Sequence, residues 1–74
     1  MNHERVVLNE QIGDRWLVLS IVRHRFVLQL KIPGEQSWSR VEFYTNYDQA
    51  KERFYQWRDQ QVVALAARML GVER

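Results

Sequence analysis

Cysteine is absent from this sequence, proline occurs once and glycine only three times. With no thiol there is no disulfide framework and no thiolate metal site. Gly13, Gly34 and Gly71 stand alone, so no glycine-rich loop is available to cradle a phosphate. Histidine is nearly as scarce: His3 lies by the N-terminus and His24 in a polar break between apolar runs. No metal or cofactor is expected from so few ligands. Long apolar stretches are lacking too. Trp16 to Val22 is interrupted by Ser20 and is far too short to span a bilayer, so no membrane partner is expected. Met1 to Arg5 leads into no apolar core of a signal peptide, and the expected location is cytoplasmic.

Charge of one sign is equally missing. Acidic and basic residues are interspersed and the net charge is +2, which excludes the long-range field of a basic arm. The length of 74 residues is read as one domain, 1–74. A domain of this size buries only about 60–65% of the surface its unfolded chain exposes. Small folds compensate with disulfides, a metal or oligomerisation. The first is excluded and the second is poorly supplied. An oligomer (a dimer foremost), a permanent partner, or a self-sufficient core remains.

What the sequence does contain is a series of β-rich runs cut by turn signals. Gly13-Asp14 suits a two-residue hairpin turn, and Pro33-Gly34 opens a longer loop. Arg15 to Ile32 is too long for one strand and folds back at Arg23-His24, either as a two-residue turn or as a four-residue loop from Val22 to Arg25. Neither Arg nor His favours the positive φ that a two-residue turn demands, which argues for the longer loop. Strands are expected at about 5–12, 15–22, 25–32 and 38–44. With these turns Leu8 faces Leu19, Val6 faces Ile21, Leu17 faces Leu30, Leu19 faces Leu28 and Ile21 faces Phe26. The two turns therefore agree on the inward residues of the second strand, and a one-residue slip would set them against Asn9, Gln29 or Lys31. On the fourth strand Val41 and Phe43 are assigned to the core.

Thr45-Asn46 ends that strand and offers helix caps, with Asp48 and Gln49 placed for a capping box. A helix follows over about 47–70, and Gly71 is its natural stop. Tyr47, Ala50, Phe54 and Trp57 form an apolar stripe at helical spacing. Val62, Leu65, Ala66 and Met69 centre in a different direction, with Gln61 where the first stripe should continue. Two readings follow: a break near 58–60 with Asp59 capping a second helix, or a continuous helix whose second half meets a partner. The expected fold is α+β, a four-stranded antiparallel meander followed by a long or kinked C-terminal helix packed on one face. The run from Phe43 to Phe54 resembles the strand-to-helix junction of phage-integrase arm-binding domains and of some small phage-encoded inhibitors. That likeness covers about a dozen residues and is one of layout, so no functional residue is carried across.

No constellation for catalysis stands out. Asp14, Glu35, Glu42, Asp48, Glu52 and Asp59 fall on turns, a strand and the helix, and no serine sits in a nucleophile elbow. The expectation is a non-enzymatic module. The informative feature is the sheet face turned away from the helix, assigned Trp16, Val18, Ser20 and Val22, then Arg25, Val27, Gln29 and Lys31, then Arg40, Glu42 and Tyr44. Val7 from the first strand belongs to it, and Trp38 sits at its rim. A half-solvated antiparallel sheet normally alternates apolar with polar, and this face does not. Three readings compete for it. It is a protein interface using Trp16, Trp38, Arg40 and Tyr44, with Val62, Leu65 and Met69 as a second seam on the helix. It is a nucleic-acid platform in which Arg23, Arg25, Lys31 and Arg40 meet phosphates beside the aromatics, with Glu42 as an objection. Or it is structural, covered by the C-terminal segment.

Overall fold

The computed structural model of the protein describes residues 4–34 and 40–71. Four strands, β1 (Arg5–Ile12), β2 (Arg15–Val22), β3 (Arg25–Lys31) and β4 (Arg40–Tyr44), form an antiparallel meander in the order β1-β2-β3-β4. One helix, α1 (Tyr47–Met69), follows and packs across the sheet. Gly13 takes a φ of +62°, and Ile12 pairs with Arg15 across the resulting two-residue turn. The second turn is just as tight. Val22 pairs with Arg25, and Arg23 takes a φ of +60°, so the four-residue loop is not formed. Arginine accepts a left-handed backbone there because both flanking strands already fix the register. The strain of such a residue is on the order of 1 kcal/mol.

The expected pairs Leu8↔Leu19, Leu17↔Leu30, Leu19↔Leu28 and Ile21↔Phe26 are all present. The expected pair Val6↔Ile21 is not. A bulge between Val6 and Leu8 sets Arg5 opposite Ile21 and Val6 opposite Ser20. An extra residue twists an edge strand and spoils it as a template for further pairing.

β4 departs further from expectation. Leu28 faces Glu42 and Leu30 faces Arg40, so Arg40, Glu42 and Tyr44 share the helix side with the core leucines. Val41 and Phe43 take the opposite side, beside Gln29 and Val27. Apolarity alone assigned these two inward. Lys31 and Arg40 lie too far apart in the sequence for a two-residue turn to fix their register, and partners on α1 satisfy the polar set instead. The start of the fourth strand expected at Trp38 lies outside the described residues.

The helix is continuous through 58–60, and Asp59 caps nothing: it receives hydrogen bonds from Arg58 at 3.2 and 3.0 Å. Asn46 is the N-cap, its side-chain oxygen accepting from the Gln49 N–H at 3.1 Å. Gly71, at a φ of +69°, closes the other end with its N–H on the Arg68 carbonyl. One stripe, Ala50, Phe54, Trp57 and Gln61, is buried, and Leu65 prolongs it. Gln61 belongs there because its carbonyl accepts from the Arg15 guanidinium, so a polar residue keeps the helical period, although the Arg15 Nε is itself buried without a partner among the described residues. Leu65 lies over the backbone of Gly13, where a Cβ would stand 3.2 Å from its methyl carbon. The core therefore comprises Leu17, Leu19, Leu28 and Leu30 from the sheet and Ala50, Phe54 and Trp57 from the helix, with Ile12 at one end.

Candidate interaction surfaces

The strand register lays out the face away from α1 in rows. One row runs Val6, Ser20, Val27, Phe43 across all four strands, and a second runs Asn9, Val18, Gln29, Val41. A third carries Gln11, Trp16 and Lys31, and Val22 with Arg25 closes the far end. No described element lies over them. Phe43 is 65% exposed, Val6 51%, Trp16 46% and Val41 41%. In the middle the packing is dense enough to bury Val27 and Ser20, and the Ser20 hydroxyl has no hydrogen-bond partner among the described residues. Beside Trp16 and Lys31, Asp14 and Pro33 complete a hollow of about 410 Å³.

On the helix side the buried Arg15 Nε and Trp57 Nε1 likewise have no hydrogen-bond partner among the described residues, but a polar cluster links β4 to α1. The Tyr44 hydroxyl donates to Glu42, and Arg53 on α1 reaches both, at 3.2 Å to the phenol oxygen and 3.5 Å to the carboxylate. Arg40 lies 3.9 Å from the same carboxylate and stacks its guanidinium 4.2 Å above the buried Trp57 ring. The Tyr44 hydrogen bond, with Arg53 and Arg40 behind it, holds the Glu42 carboxyl below the usual carboxylate range. Burial, then the hydrogen bond to Glu42, pushes the Tyr44 phenol up. Both groups thus move away from neutrality. A general acid or base is most effective with its pKa near the working pH. The cluster is a clasp joining β4 to α1. At the other sheet edge Arg58 approaches Glu10 at 3.9 Å. Among the described residues no group of three histidine and carboxylate side chains is arranged to hold a metal ion.

The residues singled out from the sequence are thus dispersed. Trp16, Arg25 and Lys31 lie on the outer face, and Arg23 is in the turn beside it. Arg40 and Tyr44 are corrected to the clasp, where their side chains meet Trp57, Glu42 and Arg53. Trp38 lies outside the described residues. Val62 and Met69 are exposed on α1, whereas Leu65 is partly buried against the core and the Gly13 turn. Sequence reasoning missed Val6, Val41 and Phe43 on the outer face and Val63 and Leu70 beside Val62 and Met69. The signal for β4 was present. Arg53 flanks the helix stripe and, besides Gln56 on its own helix, reaches Glu42 and Tyr44 on β4.

Among the described residues no helix is long and apolar enough to cross a membrane. No protein family, curated protein or solved structure matches the chain.

Proposed function

We propose that the chain is a non-enzymatic protein-interaction module, an adaptor or inhibitor, that binds a protein partner through the outer face of its sheet. The observation that carries this reading is the exposure of Val6, Trp16, Val41 and Phe43 on one face with no described element over them. Contiguous apolar surface beyond a few hundred Å² marks interaction sites on soluble proteins, and tryptophan is among the residues enriched at their energetic centres. The helix adds a second surface. Twenty-three residues span about 34 Å against about 26 Å for an eight-residue strand, so the last turns overhang the sheet. Val62, Val63, Met69 and Leu70 are exposed there, and a second copy of the chain would pair along them.

The test is capture of one partner at defined stoichiometry by the wild type and by the double variant Trp16→Ala, Phe43→Ala, with molar mass from light scattering for both. Loss of the partner, or of self-association, in a variant with an unchanged circular-dichroism spectrum is the expected result. Equal binding and equal mass for both chains would remove the outer face from consideration.

One observation favours a second reading, a nucleic-acid platform. Glu42 is not on the outer face, so the objection it raised is gone, and Trp16 pairs with Lys31. Yet Trp16 and Phe43 are separated by a strand and by four residues of register, too far apart for neighbouring bases to stack on both. Absence of binding to mixed-sequence oligonucleotides at low salt would discard this reading.

A further inference from the structure

Charge is segregated between the two sides of the sheet. Among the described strand residues the carboxylates are Glu10 and Glu42, and both register with core leucines on the helix side. Asp48, Glu52 and Asp59 belong to α1. The outer face holds Arg25 at one end of β3 and Lys31 at the other, both exposed, with Val27 and Gln29 between them. Arg23 stands in the turn beside Arg25. Asp14 borders the hollow next to Lys31 but sits in a turn and not on the strands. Arg25 and Lys31 are six residues apart on one strand, about 20 Å, and the apolar rows lie between.

Resting on the reading of this face as a protein interface, we infer that its partner presents an apolar strip with carboxylates at both ends, spaced to meet Arg25 and Lys31. Like charges set against these two cations would be repelled, which makes the pair a selector of partners more than a source of affinity. The valine floor between them, with Trp16 and Phe43 on either side, offers the contact area.

The probe is a seven-residue extended peptide with valines along one face and glutamate at both ends, compared with the same peptide carrying lysine at both ends. Binding to the isotopically labelled full chain is followed by nuclear magnetic resonance. The glutamate peptide should shift resonances of Trp16, Val27 and Phe43 and bind about tenfold tighter than the lysine peptide at low salt. The variant Arg25→Glu, Lys31→Glu, altered only at exposed sites, should reverse that preference. Equal affinity of the two peptides for this face overturns the charge assignment and leaves the interface reading standing. Shifts from neither peptide on this face overturn both. Tighter binding of a mixed oligonucleotide, or of phosphatidylglycerol vesicles over phosphatidylcholine ones, overturns the inference in favour of that anionic surface.

Discussion

The two faces of the sheet are built from the same strands and both carry apolar side chains, yet among the described residues α1 covers only one of them. On β2 the inward residues Leu17 and Leu19 are fully buried, while their neighbours Trp16 and Val18 remain at least partly open. The helix side joins several of its polar residues: Gln61 accepts from Arg15, and Arg53 reaches Glu42 and Tyr44. Among the described residues each side keeps buried polar atoms without a partner, Arg15 Nε and Trp57 Nε1 on the helix side and the Ser20 hydroxyl on the outer side. A fold of this size needs one apolar face for its core. The second is surplus to folding, and that surplus supports assigning it to binding.

Two phenylalanines give the largest contrast. Phe54 is 2% exposed in the core, and Phe43 is 65% exposed outside it. Phe54→Ala should cost about 3–5 kcal/mol, enough to unfold much of the population of so small a domain. Phe43→Ala should change stability by less than about 1 kcal/mol. Urea titrations of the two variants make the comparison directly. A large loss for Phe43→Ala would mean that something covers the outer face in the folded chain.

Ser20 sharpens the same contrast from the other side. Its hydroxyl is buried among valines and gains nothing in the isolated chain. Removing an unmet buried polar group relieves about 1 kcal/mol or more of desolvation penalty, and the methyl of alanine fits the same space. Ser20→Ala should therefore raise the urea midpoint at unchanged slope. A loss of stability would show that the hydroxyl has found a partner.

How far the sequence foretold this arrangement depended on what sets register. The β1–β2 and β2–β3 pairings were legible because two tight turns constrain them and both choose Leu17, Leu19 and Ile21 as inward. The bulge at Val6 and Val7 was not legible, since both candidate residues are valines and period-two reasoning treats them alike. β4 was read on the wrong face for a related reason. Lys31 and Arg40 are too far apart in the sequence for a two-residue turn to set the register, and Val41 and Phe43 look like core residues until Arg53 and Trp57 are seen to meet Glu42 and Arg40. Gln61 misled in the same way. A glutamine in a helix stripe suggests a break, but the Arg15 guanidinium supplies the partner that keeps the helix whole. For β4 and Gln61 the missing information was a long-range polar contact, which local hydrophobicity does not encode.

The clasp on the helix side gives the smallest effect and the most specific one. Glu42 has its pKa depressed in the folded chain, chiefly by the Tyr44 hydroxyl and then by Arg53 and Arg40. Its contribution to stability is therefore present in full above the ordinary carboxylate value near 4.5 and is lost as pH falls through the lower folded value. The side chain is one-third exposed, so the contribution is that of a surface ion pair, about 0.3–0.5 kcal/mol. Unfolding curves of wild type and Glu42→Gln should run parallel above pH 5 and converge in acid. Tyr44→Phe removes the largest cause of the depression, so a carboxyl titration followed by nuclear magnetic resonance should find the Glu42 pKa moved back up towards its ordinary value. If Glu42 titrates identically with and without the Tyr44 hydroxyl, the hydrogen bond between these two β4 side chains is not formed, and only Arg53 and the Arg40 stack on Trp57 tie β4 to the helix.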